Sequence, residues 1–272
     1  MSLSKNDRHA LIIGAMKCGT TALFQHLAQT YEDVRPTSPK DTRFFAGPVP
    51  AGNWDKGLTW YRQTFANRNG LCLEASTQCA KFPDVQGCPE RIAEALPSVR
   101  LIYLYRDPLD RAVSHYFHNV WKDSMAPTRP EEIANPNGKY LQYSDYALQL
   151  GLYHAHFEAE RILVLNVVDT PFTAVARRKL EAHLDLPQTT SSPPLLTQNA
   201  TEDNSRFNPQ FPTLATLMTT PNDRLKALRL LGLKTSTLST MAAHCMNIAH
   251  RFSQLTSVNV DPWLERYEAM RQ

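Results

Sequence analysis

No stretch of the chain holds the roughly 18 consecutive apolar residues that a bilayer span requires, and the N-terminal MSLSKNDRHA lacks the apolar segment of a secretory signal. A cytoplasmic protein with no membrane span is therefore expected. Cysteine is equally uninformative as a framework: Cys18, Cys72, Cys79, Cys88 and Cys245 form no CxxC pair, and their odd number and wide scatter fit reduced thiols without a bridge or a metal. Charge of one sign is not in excess either, with 29 basic residues against 26 acidic ones, which argues against an extended nucleic-acid surface but permits a local anion pocket. No internal repeat is present. The 42% of hydrophobic and 20% of charged residues exclude neither a packed core nor an enzyme, but do exclude a disordered or fibrous chain.

Short apolar runs of β type occur at Ala10 to Ile13, Leu71 to Leu73, Val99 to Tyr105 and Ile162 to Leu165, without clean alternation, as in strands buried on both faces. Helical patterns lie between and after them, at Thr20 to Gln29, Pro89 to Leu96, Pro108 to Trp121, Tyr143 to Glu158 and Thr173 to His183. This alternation implies an α/β fold with a central parallel sheet flanked by helices. The segment QTTSSPP from Gln188 to Pro194 reads as a linker or surface loop, and beyond it only helical signals remain, at Leu214 to Met218, Asp223 to Leu231, Leu238 to Phe252 and Trp263 to Met270. One domain over residues 1–272 is expected, with an α/β core over about 10–186 and a helical C-terminal extension over about 200–272.

The first strand runs into Gly14-Ala-Met-Lys17-Cys18-Gly19-Thr20-Thr21 and then an apolar helix. A strand, a tight glycine-containing loop and a helix N-terminus are what a phosphate loop needs, because the glycines let backbone N–H groups point inward and the helix adds positive potential. Compared with GxxxxGK[ST], the glycine spacing is kept, but Thr20 stands in the place of the lysine and Lys17 lies inside the loop, which weakens a magnesium-nucleotide reading. A second anion site is suggested at the end of the Val99 to Tyr105 strand, where Arg106 stands at the tip that an ATPase gives to a metal-binding aspartate. Asp107 as N-cap, Pro108 at the first helical position and Asp110 in the first turn favour helix initiation there, with Arg111 and Ser114 three apart on one face. Arg106 by charge and Ser114 by hydrogen bond suit one phosphate, so the two segments together describe a ligand with two separate anionic groups.

These segments, KCGTT at Lys17 to Thr21 and RDPLDRAVSHY at Arg106 to Tyr116, resemble the donor-binding motifs of sulfotransferases that use 3′-phosphoadenosine 5′-phosphosulfate (PAPS). Further similarity to the glycosaminoglycan (heparan sulfate) branch lies at Lys40-Asp-Thr-Arg-Phe-Phe45, Gly57-Leu-Thr-Trp-Tyr61, Leu73-Glu74-Ala-Ser and Gly151-Leu-Tyr153, so that the resemblance covers roughly residues 10–186. It implies a three-layer fold of the P-loop type. It also implies that Lys17, Cys18, Gly19, Thr20 and Thr21 form the loop for the 5′-phosphosulfate, that Arg106 and Ser114 hold the 3′-phosphate, and that no metal is required. The branch's acidic base falls on Asp41, while its lysine after Glu74 is Ala75 here and Arg43 replaces a usual histidine, so the acceptor geometry is expected to differ. A late lysine-glycine donor loop is not present, and Arg206 in NSRF is the nearest candidate for its role.

The activity so implied is in-line transfer of a sulfuryl group to a hydroxyl or amine of a carbohydrate or small-metabolite acceptor, with Lys17 and the loop amides stabilising the leaving phosphate. Asp41 is the first candidate for the base, and Glu74 and His115 are the reserves. A P-loop nucleoside or small-molecule kinase and a non-catalytic nucleotide-binding scaffold are the alternatives. The pairs His154/His156 and His115/His118 lack a third convergent ligand, and Trp54, Trp60, Tyr61 and Phe65 suit either an acceptor cleft or a core.

Overall fold

The structure, a computed structural model, describes residues 8–67, 69–122, 130–168, 172–189, 226, 229 and 232–271. Arg206, the Leu214 to Met218 segment and the Asp223 to Leu231 segment apart from residues 226 and 229 lie outside them. Five strands, β1 (His9–Gly14), β2 (Val34–Pro36), β3 (Leu71–Ala75), β4 (Arg100–Tyr105) and β5 (Ile162–Asn166), form one sheet in the order β2-β3-β1-β4-β5. Every pairing is parallel. β1 and β3 are buried along their whole length, as strands covered by helices on both faces must be. β2 was not expected from the sequence. It has three residues, one of them Pro36, which a strand tolerates at the sheet edge where one side needs no ladder hydrogen bond.

The helices are α1 (Thr20–Thr30), α2 (Gly57–Gln63), α3 (Cys88–Ala95), α4 (Pro108–Lys122), α5 (Lys139–Gln142), α6 (Tyr146–His154), α7 (Ala174–Leu184), α8 (Thr235–Thr256) and α9 (Asp261–Arg271). The single helix expected from Tyr143 to Glu158 is therefore shorter, and a separate turn, α5, precedes it. At the junction Tyr146 N–H donates to Ser144 O, only two residues back, at 2.9 Å, which breaks the four-residue ladder of a continuous helix. α8 buries Leu238, Met241, Ala242, Cys245, Ile248, Ala249 and Phe252, a three-and-four spacing that makes one apolar stripe. All five cysteines are buried and unbridged.

Two compact units make up the chain, one from residues 1–106 and 148–198 and the other from residues 107–147 and 199–272. The first contains the whole sheet. The second joins α4 and α5 to α8 and α9, with Phe252 of α8 packed on Tyr146 and stacked with Trp263 of α9 at 6.4 Å between ring centroids. Among the described residues no helix is long and apolar enough to cross a membrane.

Candidate active site

In the first unit the sheet order puts β1 between β3, reached by a crossover, and β4. The chain leaves β1 toward one edge of the sheet and leaves β4 toward the other, so the carboxyl ends of β1 and β4 flank a topological switch point, where open α/β sheets bind ligands. The loop after β1 is shaped by its backbone. A Cβ on Gly14 would lie 2.5 Å from Ala80 Cβ, and one on Gly19 would lie 2.8 Å from Val167 Cγ2. Gly19 also has φ +85°, a left-handed value that glycine adopts without steric cost. Lys17 takes φ +71° without that freedom, which costs on the order of 1–2 kcal/mol and marks a residue held in place by its surroundings.

Cys18 is fully buried and its N–H donates to Ala15 O at 3.2 Å, closing the loop on itself. Gly19 offers no side-chain cap to α1, and no acidic residue stands in the first turn. The first intrahelical bond is from Leu23 N–H to Gly19 O at 3.0 Å, so the amides of Thr20, Thr21 and Ala22 face outward without helical partners, next to the positive end of the helix dipole. Thr20 is buried and Thr21 half-buried. Such an arrangement has the chemistry to receive an anion.

β4 is tied to the loop by Ala15 N–H donating to Leu104 O at 2.7 Å, and two residues farther on Arg106 donates from Nη1 to Lys17 O at 3.5 Å. Arg106 is only 6% exposed, so its charge is held at the mouth of the loop rather than in bulk water. The two motifs that the sequence keeps 89 positions apart thus meet at adjacent strand ends, through the Arg106 guanidinium and the Lys17 carbonyl.

The acidic candidates of the first unit are sorted by their surroundings. Glu74, on β3, is fully buried; it accepts hydrogen bonds from the Thr42 hydroxyl and from Tyr61 OH, the latter at 2.7 Å, and burial pushes its carboxyl up to about 7. Asp41 is half-buried, and Ser76 Oγ donates to its Oδ1 at 2.6 Å. Ser76 in turn accepts from Arg43 N–H at 2.9 Å and donates its own N–H to Ile12 O at 3.2 Å, next to the carboxyl end of β1. Asp41 is thereby anchored to the strand that carries the phosphate loop. The sequence does not single out Ser76, although it lies in a segment of family similarity, and it names Glu74 as a reserve base and Tyr61 as a cleft or core residue without showing that the two pair.

Lys40 donates from Nζ to Ala75 O at 3.2 Å, and burial lowers its pKa. Tyr61 and Phe65 are buried core residues, whereas Trp54 and Trp60 are half-buried against Phe44, with the Lys56 ammonium 4.6 Å from the centre of the Trp60 ring.

In the second unit, α4 starts as the sequence suggests, with Asp107 Oδ1 accepting from the N–H groups of Leu109 at 2.8 Å and Asp110 at 3.1 Å. Ser114 is 8% exposed. Arg111 is fully buried and donates to Ser144 Oγ and to the Tyr140 carbonyl, so its guanidinium is spent inside this unit. His115 is 4% exposed, stacked on Tyr143 at 5.6 Å and edge-on to Tyr140 at 4.9 Å.

A sulfotransferase domain model matches residues 7–167, more than half of the chain, and its span includes the loop, Asp41, Glu74, Arg106 and Ser114. The chain belongs to the sulfotransferase domain family. Membership speaks against the kinase alternative, and the family implies PAPS as the donor. Human heparan sulfate glucosamine 3-O-sulfotransferase 3B1 is 31% identical over 159 residues, 57% of this chain and 38% of the human protein. The bifunctional heparan sulfate N-deacetylase/N-sulfotransferase 1 of Xenopus tropicalis is 27% identical over 175 residues, 57% of this chain and 19% of that protein. The matched region is thus well under half the length of these relatives. A sulfotransferase from Alicyclobacillus acidocaldarius shares the fold, with a TM-score of 0.67 at 19% identity over 94% of this chain and 98% of its own.

Proposed function

We propose that this sulfotransferase-domain enzyme moves the sulfuryl group of PAPS to a hydroxyl or amine of a carbohydrate or small-metabolite acceptor, with Asp41 as the base. The observation that carries the reading is the Arg106 guanidinium on the Lys17 carbonyl, because it brings the second donor motif to the mouth of the first. The residues fit a nucleotide bisphosphate: two glycines without room for a Cβ, helix amides without partners, and a buried arginine at the adjoining strand end. When bound, PAPS supplies an activated sulfuryl group on a leaving phosphate.

Lys17 and the amides of Gly19, Thr20 and Thr21 would bind the 5′ end and stabilise negative charge on the departing phosphate. Arg106 would bind the 3′-phosphate, and the family pattern assigns Ser114 to the same group. Asp41 would accept the acceptor's proton while Ser76 fixes the direction of the carboxylate. Glu74 is less suited to that step because both its oxygens are engaged in the core, and His115 because two tyrosines enclose its ring. Similarity to heparan sulfate 3-O-sulfotransferase and N-sulfotransferase enzymes supports a carbohydrate acceptor.

The test is transfer from radiolabelled PAPS to a panel of sulfate-free and partly sulfated oligosaccharides, amines and phenols. Asp41→Asn should bind adenosine 3′,5′-bisphosphate as the native chain does while turnover falls by about 10²- to 10⁴-fold. Unchanged transfer would remove Asp41 from the mechanism. Absence of transfer from PAPS to any acceptor, together with no binding of the bisphosphate, would remove the reading itself.

A further inference from the structure

The second unit contains a buried charge cluster that the donor motifs do not explain. Arg266, on α9, donates from Nη1 to Asp107 Oδ2 at 2.8 Å and from Nη2 to Asp110 Oδ1 at 2.9 Å. Its neighbour Tyr267 donates from its hydroxyl to Asp107 Oδ1 at 2.8 Å, the same oxygen that caps the first turn of α4. The side chains of Asp107 and Asp110 are 5% and 7% exposed and that of Arg266 26%, so the pair is largely out of water. Both acids belong to the Arg106 to Tyr116 motif. Both of their partners come from α9, beyond the residues that the family model matches.

We infer that Arg266 and Tyr267 are positioning residues for donor binding: the C-terminal helix clamps the first turn of α4 and so fixes the backbone between Arg106 and Ser114 on which recognition of the 3′-phosphate depends. The inference rests on the reading given under Proposed function. Two buried carboxylates three residues apart repel each other, and they would also repel a phosphate dianion brought to the adjoining arginine. A guanidinium bridging the two carboxylates offsets one of the two negative charges and at the same time sets the direction of both side chains. Burial and the nearby Asp110 push Asp107 up to about 6, as expected for an acid whose charged form depends on its partner. The cap oxygen of Asp107 serves two masters, the helix amides and Tyr267. Loss of the clamp should therefore loosen the turn that follows Arg106 directly in the chain.

The experiment compares calorimetric affinities for adenosine 3′,5′-bisphosphate and adenosine 5′-phosphate in the native chain, Arg266→Met, Arg266→Lys and Tyr267→Phe, each checked for cooperative thermal unfolding. The ratio of the two affinities reports the 3′-phosphate alone, and a purely structural loss would not change it. Arg266→Met should reduce the ratio about tenfold, the size of one weakened charge-assisted phosphate contact, with adenosine 5′-phosphate affinity within about twofold of native. Arg266→Lys should recover part of the ratio. If Arg266→Met does not fold, Tyr267→Phe, which deletes one donor and keeps the ring, should still lower the ratio about threefold. An unchanged ratio in a folded Arg266→Met, or in Tyr267→Phe where Arg266→Met does not fold, overturns this inference alone. A native chain that does not prefer the bisphosphate overturns the donor reading and this inference together.

Discussion

The loop from Gly14 to Gly19 takes its shape from backbone geometry: two glycines that leave no room for a Cβ, a left-handed lysine and a helix start without a side-chain cap. The first turn of α4 takes its shape from side chains, with two buried carboxylates held by an arginine and a tyrosine about 160 positions later in the chain. The difference teaches which part of the chain should set rate and which should set grip. On the proposed reading, preorganised amides and Lys17 act where charge develops during transfer, whereas the charge network on the first turn of α4 influences how the nucleotide is held.

This contrast can be broken most sharply at Lys17. Lys17→Ala should lower turnover by about 10²- to 10³-fold with folding retained, the usual effect of losing one preorganised donor to a developing oxyanion. Steady-state kinetics with PAPS would show it. If the substitution raised KM alone, the loop would be a gripping device as well, and the contrast would vanish. Arg106→Gln should do the opposite, weakening adenosine 3′,5′-bisphosphate about tenfold or more while adenosine 5′-phosphate binds nearly as before. Equal losses for the two nucleotides would detach Arg106 from the 3′ group.

The remaining effect lies outside donor binding and concerns stability rather than catalysis. The Glu74 carboxyl is raised from an ordinary 4.5 to about 7 by burial, so between these pH values the folded chain keeps a proton that the unfolded chain has released. Stability contributed by this group is therefore greatest below about pH 4.5, declines as pH rises, and levels off above about pH 7, a span worth roughly 3 kcal/mol. Chemical denaturation of the native chain and Glu74→Gln at pH 5 and pH 8 should show the difference between them shifting in that direction. Parallel profiles would mean that Glu74 is ionised in the fold throughout.

Much of the architecture was legible in the sequence because buried parallel strands are written as short apolar runs: β1, β3, β4 and β5 are the four segments so recognised. β2 was not, since Val34-Arg-Pro36 has neither the length nor the pattern of a strand and owes its place to pairing with β3. The long helix read from Tyr143 to Glu158 starts later for a local reason, the Tyr146 N–H bonding two residues back to Ser144 O. The loop and Arg106 were visible because glycine spacing and a cation at a strand tip are local signals. What holds the acids was not. Ser76 lies 35 positions from Asp41, and Arg266 lies 159 from Asp107; only the fold brings them together.

Calorimetric titration of the native chain with adenosine 3′,5′-bisphosphate, adenosine 5′-phosphate and ATP with magnesium tests most directly whether Lys17 and Arg106 grip one doubly anionic nucleotide. The bisphosphate should bind without added magnesium and at least about tenfold more tightly than either competitor, the increment expected from one charge-assisted phosphate contact. Equal affinity for the two adenosine phosphates, or tighter binding of ATP with magnesium, would contradict the account.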